Sequence, residues 1–559
     1  MSATTPVGTA KGPGEKPHEY VFISPDHDQA IKQGEYVYYE VPIDGQERHV
    51  IGRVVGRTPV RLLPDAFLSD PQVAPDAVAD LIGYEGGGHE IFEVVVAIMG
   101  YFDQTLKTFV NPRIPPRSGW PIYLVPSEIL ARVLNRCTPG EQGSAHIGWL
   151  LSRPKGEVPI ALAAKEFLST HLAIIASTGS GKSYLAGVII EELLKPTNKA
   201  CMLIVDPHGE YETLDHIMAR QEFWGGPNPS SYRPKVKVLH PDKVTIRHSA
   251  LSLSDLHYLL EVPERQEFLL NEAYRKVSSG EKRNRWTFAD LVEEITRIAE
   301  QRGERDKLDY SSSAAALGWR IDRLLHSSRS FHESRHLGLA EIFEPGQCTV
   351  LDLSEIDKRE QQVIVSVLLR HLYEARVETE HGRSQDGDNK YLPYPAFVLL
   401  EEAHHFAPGG EGTSVVSSKI LKQILAEGRK FGVGIGLISQ RPGKLDADVL
   451  SQCMTQCIMR IVNPVDQANV ASAVESVGRD LLDELPALSK GQVIVAGPSL
   501  NTPVLAQVRE RLTPHGGQDI DAPREWDAYF SEQAVQRRQE EATFYQPQRP
   551  VDRMFRPTD

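Results

Sequence analysis

The sequence predicts an α/β protein in which a small β-barrel or sandwich precedes a doubly wound, mostly parallel sheet interrupted by a block of helices. Three observations carry this reading. From Tyr20 to about Leu134, short β-rich runs recur between turn residues. After Arg153-Pro154-Lys155-Gly156 the rhythm changes to short apolar runs, each followed by a longer helical stretch, as parallel βαβ units require. Between about Ser252 and Glu344 the chain is almost free of strand patterns and helical in composition.

In chain order, residues 1–17 are rich in Gly, Pro, Thr and Ala without periodicity, the composition of a disordered tail. Residues 18–135 form the β-rich domain, with strands expected at 35–43, 49–56 and 91–102. Turns follow Asp44-Gly45, the glycines at 86–88, and the prolines at 112, 115 and 116. Residues 136–251 open the α/β core with strands at 171–176 and 201–206, and residues 252–344 are the helical insertion. Residues 345–511 resume the core, with strands at 348–354, 397–402, 433–439, 457–462 and 492–497, each apolar enough to be covered on both faces. Residues 512–559 are polar and partly helical, a C-terminal brace or tail.

Composition bounds the function. With 559 residues, several times the size of a typical domain, the chain needs more than one core. Hydrophobic residues make up 41%, the balance of a folded globular protein. The formal charge of −14 excludes a surface that is basic all over, so a nucleic-acid site has to be a focused patch or channel. Five widely scattered cysteines point to a reducing compartment, and Cys453 and Cys457, with no second pair beside them, read as buried thiols rather than a zinc site. No apolar run approaches the ~20 residues of a membrane span, so a cytoplasmic protein without a membrane anchor is expected.

The chemistry begins at residues 176–183, Ala-Ser-Thr-Gly-Ser-Gly-Lys-Ser, between an apolar run and a helix that reads as amphipathic. In such a phosphate loop, backbone N–H groups wrap the phosphates, Lys182 reaches the β/γ oxygens and the Ser183 hydroxyl holds Mg²⁺. Gly179 and Gly181 supply the backbone freedom for close approach. Ala176 stands where the usual pattern has its first glycine. Thr178, Gly179, Ser180, Gly181, Lys182, Ser183 and Tyr184 are the candidate nucleotide-binding residues, together with Asp206 at the end of the next strand. His208 and Glu210 follow on the same turn and read equally well as ordinary turn residues.

The partner acids end the strand FVLLEEAHH. Glu401 takes the metal-side position and Glu402 is placed to polarise the attacking water, and a cation neutralises two such adjacent carboxylates. Gln440, at the tip of VGIGLIS, is placed to sense the γ-phosphate. Arg429 and Arg441 are candidates for neutralising transition-state charge, in cis or from a neighbouring subunit.

These segments in this order (STGSGKS, DPHGEY, LLEEAHHFAP, EGRKFGVGIGLISQRP, LSQCMTQ and NPVDQ) resemble the HerA branch of the HerA–FtsK ATPases over nearly all of residues 20–525. The resemblance implies a RecA-like core and an N-terminal barrel. It further implies ATP and Mg²⁺ as cofactors and a homohexameric ring that threads double-stranded DNA beside a nuclease or other effector encoded nearby. Many relatives carry an arginine before the P-loop strand that acts across the subunit interface. Thr170 stands there, leaving Lys165 or another arginine to substitute, or hydrolysis weaker.

Two functions fit this pattern: an ATP-driven DNA translocase for end processing or antiphage defence, and a scaffold or sensor ATPase that assembles an effector without long-range movement. A membrane-bound DNA pump is disfavoured for want of a membrane span. For DNA, Lys419 and Lys422 follow the Gly-rich loop HHFAPGGEGTS, where ring ATPases line their pores. Lys276, Lys282, Arg283 and Arg285 beside Trp286 form a second basic cluster that reads better as a solvated helix surface.

Overall fold

The computed structural model describes residues 5–25, 30–60, 91–225, 231–280, 283–306, 310–410, 414–474, 477–514, 516 and 521–529. The glycines at 86–88, Lys282 and residues 411–413 of the Gly-rich loop lie outside them.

Seven antiparallel strands build the N-terminal part: β1 (Gly8–Pro13), β2 (Glu19–Ser24), β3 (Tyr36–Ile43), β4 (Gln46–Pro59), β5 (Phe92–Asp103), β6 (Thr108–Val110) and β7 (Pro121–Leu124). They run in the order β2-β1-β7-β3-β4-β5-β6, and β2 also pairs with β5, so six strands close into a barrel. Gly8–Pro13 had the composition of a tail, yet it pairs with both β2 and β7. Backbone pairing, which composition does not encode, holds this Gly-containing segment as a strand and closes the barrel. Alternation along β3 sends Val37 and Tyr39 into the barrel core and Tyr36 and Tyr38 outward. The outward pair is also buried, packed in a cluster with Leu130, Val133 and Leu134 of α1 (Ser127–Leu134). Arg153 donates to Glu35 at 2.8 Å across the same contact.

The core is one sheet of eleven strands, with β8 (Ser144–Leu150), β9 (Pro159–Ala163), β10 (Leu172–Ile175), β11 (Met202–Asp206), β12 (Lys235–Leu239), β15 (Gln347–Asp352), β16 (Ala396–Leu400), β17 (Val433–Ser439), β18 (Thr455–Ile458), β19 (Gln492–Ala496) and β20 (Val504–Val508). Their order is β12-β15-β11-β16-β17-β10-β18-β19-β20-β8-β9. From β12 to β18 every pairing is parallel, and from β18 to β9 every pairing is antiparallel. This is a mostly parallel, RecA-like α/β core, with all seven parallel strands ending at one edge. Helices α2 (Ala164–Thr170), α3 (Lys182–Leu194), α8 (Lys358–Glu380), α9 (Val416–Glu427) and α10 (Pro464–Ala473) belong to this part.

The insertion holds α4 (Leu253–Leu260), α5 (Glu264–Ser279), α6 (Phe288–Asp306) and α7 (Ser311–Ser327), with a two-residue pair of strands, β13 (Ile246–Arg247) and β14 (Phe331–His332), at its base. Trp286, read as part of a basic surface cluster, is buried among its apolar residues, and Lys276 pairs with Glu294 at 3.2 Å. Helix α3 read as amphipathic, but every residue in it except Tyr184 is buried, including Glu191 and Glu192. Cys453 and Cys457 are buried free thiols. Residues 515–559 form a second compact unit, described as a helix at Ala522–Tyr529, whereas Leu512 and Thr513 are tied to Glu191 of the core. No helix among the described residues is long and apolar enough to cross a membrane.

Candidate functional site: a phosphate loop facing two glutamates

Strand β10 ends at Ile175 and α3 begins at Lys182, so residues 176–181 turn tightly at the carboxyl edge of the sheet. Gly179 and Gly181 sit at φ of 78° and 103°, where a side chain would be strained. The loop is braced from behind: the Arg460 carbonyl accepts from Ser177 N at 2.9 Å and from Ser180 Oγ at 3.2 Å, and Gly491 N donates to Ser180 O at 3.2 Å. Arg460 follows β18, the neighbour of β10, and its exposed side chain stands at the edge of the loop. The sequence reading had put Arg460 inside the strand expected at 457–462, and nothing there marked it as bracing the loop.

Strand β16 delivers the acids. Glu401 is fully buried, with Lys182 Nζ hydrogen-bonded to one oxygen and Tyr211 Oη donating to the other at 2.9 Å. Burial pushes its carboxyl up to about 7, against the pull of Lys182. Glu402 adopts a left-handed backbone, φ 48° and ψ 49°, which turns its side chain back toward the loop. For a non-glycine residue this costs about 1–2 kcal/mol, strain of the kind that gathers at functional sites. Burial alone would raise Glu402, but His404, Lys182 and Gln440 outweigh it and hold the carboxyl down to about 2. Lys182 is itself opposed by burial, yet Glu401, Glu210 and Glu402 keep it charged.

Gln440 joins the two halves. Its amide nitrogen donates to Glu402 and its carbonyl accepts from Thr178 Oγ1 at 2.7 Å. His404 Nδ1 lies 3.2 Å from Glu402 Oε2, off the line of a well-formed hydrogen bond, so that buried oxygen is left unsatisfied. Ser183 Oγ donates to Glu210 at 2.5 Å, which brings Glu210 into the site. Asp206 does not join it: Oδ1 accepts from His208 N and Gly209 N, and Oδ2 from Tyr211 N, so its carboxylate holds the turn that presents Glu210 and Tyr211. These bonds make Asp206 the residue that holds the turn between β11 and Glu210. Tyr211 was missed because its partner Glu401 is 190 residues away, whereas His404 stood within the quoted motif LLEEAHHFAP, two residues from Glu402.

A pocket of about 320 Å³ opens beside Gly181, lined by Tyr184 and by Trp149 of β8, with Lys490, Gln507 and Glu510. Two aromatic rings next to a phosphate loop suit a purine base. Trp149 carried no sequence signal, since β8 reaches the loop only through the antiparallel half of the sheet.

The arginines separate. Arg441 is exposed directly after Gln440, and its N–H donates to Ser439 Oγ at 3.1 Å. Arg429 precedes β17, at the opposite end of a seven-residue strand, roughly 20 Å along the chain direction. It cannot reach this site within one chain. Thr170 is buried, its hydroxyl spent on the Glu166 carbonyl at 2.8 Å, while Lys165 is exposed at the amino end of the sheet. Lys419 is exposed without an ion pair among the described residues, whereas Lys422 pairs with Asp446 at 2.7 Å and Asp448 at 3.6 Å.

A parallel sheet with a phosphate loop on one strand and paired acids two strands away defines a P-loop ATPase. The family model for "Helicase HerA, central domain" matches residues 145–372. The chain is 31% identical over 484 residues to the DNA double-strand break repair helicase HerA of Pyrococcus furiosus, covering 79% of this chain and 83% of that protein. It is 28% identical to the HerA helicase of Sulfolobus acidocaldarius, over 76% of this chain and 80% of that one. Among solved structures, VirB4 of Thermoanaerobacter pseudethanolicus aligns at TM-score 0.44 and 11% identity, covering 66% of this chain and 97% of that one. The chain belongs to the HerA family.

Proposed function

We propose that this ATPase is a ring motor, a homohexamer that moves double-stranded DNA in concert with a nuclease or other effector. The observation that carries the proposal is Gln440, bonded at once to the phosphate loop through Thr178 and to Glu402. An amide in that position exchanges partners when a γ-phosphate arrives, so nucleotide state is passed to β17 and to Arg441 beyond it.

In this reading Lys182 leaves Glu401 for the β/γ-phosphates, and Ser183 leaves Glu210. Ser183 and Glu401 would hold Mg²⁺, which would supply neutralisation of phosphate charge, and Glu402 takes a proton from the attacking water. The unsatisfied Glu402 oxygen is the acceptor that such a water needs. Tyr184 and Trp149 hold the base. That Arg429 lies far from its own site and Arg441 is exposed supports a role for either one across a subunit interface. Membership in a family whose relatives are named as DNA break repair helicases supports DNA as the polymer moved.

The test is displacement of a third strand from triplex DNA by the full chain, alone and copurified with the protein encoded beside it. ATP-dependent displacement that vanishes in Glu402→Gln supports a motor. ATP turnover and effector activation without displacement support assembly of an effector instead.

A further inference from the structure

Three parallel strands, β12, β15 and β11, end side by side at the carboxyl edge of the sheet, with β16 and β17 between them and the phosphate-loop strand β10. Each hands over a metal-ligating side chain at that edge: His240 directly after β12, Asp352 as the last residue of β15, and Glu212 on the turn of 3₁₀ helix Glu212–Ala219 that follows β11. One donor atom from each falls within 4.8 Å of the others. His240 Nδ1 is 3.6 Å from Asp352 Oδ2 and 3.9 Å from a Glu212 oxygen. Donors around a tetrahedral ion with bonds of about 2.1 Å stand about 3.4 Å apart, so small rotations of the two exposed side chains complete the geometry.

Asp352 gives the independent indication. The residue is 4% exposed, and its Oδ1 accepts from Ser354 N at 3.0 Å. Its Oδ2 accepts no hydrogen bond among the described residues and has only His240 before it, beyond hydrogen-bonding distance. With no protein donor on this oxygen among the described residues, a cation can reach it from solvent without displacing a hydrogen bond. The oxygen opens into a cleft of about 1100 Å³ between the sheet edge and helices α4 and α7. Seven carboxylates and four arginines line that cleft, and two of the arginines are already engaged: Arg359 with Glu261, and Arg320 with the Leu260 and Glu261 carbonyls. The remaining negative excess favours a cation over a phosphate-bearing ligand.

We infer that Glu212, His240 and Asp352 form a divalent-metal site, separate from the nucleotide site, that takes an imidazole-preferring ion of the Zn²⁺ or Co²⁺ class rather than Mg²⁺. The ion joins the ends of three strands to the segment after β11. Glu212 is two residues past Glu210, the carboxylate that holds Ser183, so the metal fixes the turn that supplies the nucleotide site.

The experiment uses the full chain, stripped of nucleotide and metal with a chelator and titrated with Zn²⁺ by equilibrium dialysis and with Co²⁺ by visible absorption. Wild type should bind one more equivalent of Zn²⁺ than His240→Ala, whose affinity at this site drops at least about tenfold. Glu212→Gln, also at an exposed position, should show the same loss. A Ser183→Ala, Glu401→Gln variant should retain the site, and the Co²⁺ band should vanish with His240 alone. Equal Zn²⁺ binding by wild type, His240→Ala and Glu212→Gln overturns the site, as does loss that follows Ser183 and Glu401 instead.

Discussion

Two pairs of adjacent glutamates are buried in this core, and they are held in opposite ways. Glu191-Glu192 lie within α3. Arg509 pairs with both, at 3.0 and 2.8 Å, Leu512 N and Thr513 N donate to Glu191, and His146 N and Lys195 reach Glu192. Each of these partners belongs permanently to the fold. Glu401-Glu402, at the end of β16, are held by Lys182, Tyr211, Gln440 and a poorly aimed His404, and one oxygen of Glu402 has no donor. In the proposed mechanism Lys182 and Gln440 are needed elsewhere once nucleotide binds. Buried acids of the same type thus serve structure where their donors are fixed and chemistry where their donors can be exchanged.

The sharpest way to break this comparison is to neutralise one acid of the exchangeable pair. Glu402→Gln should lower ATP turnover by about 10²–10⁴-fold while leaving nucleotide binding and the melting temperature close to wild type. Lys182→Ala should abolish turnover by weakening binding of the triphosphate itself. Steady-state hydrolysis combined with a fluorescent-nucleotide titration separates the two effects. Unchanged turnover in Glu402→Gln removes it from the chemistry.

The converse substitution tests the fixed pair. Arg509→Ala leaves two buried carboxylates short of a cation, at a cost of about 3–5 kcal/mol. Denaturant unfolding should show that loss. A variant as stable as wild type would mean that the backbone donors at Leu512 and Thr513 suffice.

The exchangeable pair should also respond to pH. Because burial raises Glu401 to about 7, the folded chain holds its proton more tightly than the unfolded chain, whose value is near 4.5. The stability it contributes is full below 4.5 and is lost as pH rises through about 7. A metal must displace that proton, so Mg²⁺ affinity with ADP bound should rise up to about tenfold per unit below pH 7 and level off above it. Glu401→Gln should flatten that rise, as isothermal titration at several pH values will show.

The half of this comparison that does chemistry was legible in the sequence. STGSGKS and FVLLEE each place their functional residues within a few positions of a strand end, and local spacing carries that information. The structural half was not. Glu191 and Glu192 look like the polar face of an amphipathic helix, and only Arg509, more than 300 residues away, makes their burial tolerable. Tyr211 and Trp149 were hidden for the same reason, since each reaches the site from a strand or turn far away in sequence. An acid at a strand tip such as Asp206 fits a ligand and a turn equally well, and its three backbone N–H donors come from a turn whose geometry no local pattern announces. Strand β1 escaped notice because its place is set by the strands it joins rather than by its own composition.

The same distinction between fixed and exchangeable partners extends to the lysines after the Gly-rich loop. Lys422 already faces Asp446 and Asp448, whereas Lys419, three residues earlier on α9, faces no acid among the described residues. A phosphate backbone reaching this helix gains one whole cation at Lys419, but at Lys422 it has to compete with two carboxylates. Lys419→Ala should therefore weaken binding to duplexes of any sequence and lower the slope of log affinity against log salt by nearly one unit, about 0.9 for each phosphate no longer neutralised. Lys422→Ala should shift the slope less, because its charge is largely matched within the chain. Basal ATP hydrolysis should persist in both, since neither lysine touches the nucleotide site. Fluorescence anisotropy across a salt series resolves a change of this size. Equal slopes for wild type and Lys419→Ala would move the DNA-binding surface away from α9, and a larger effect at Lys422 would show that DNA pulls it from its acids, making it an exchangeable residue after all.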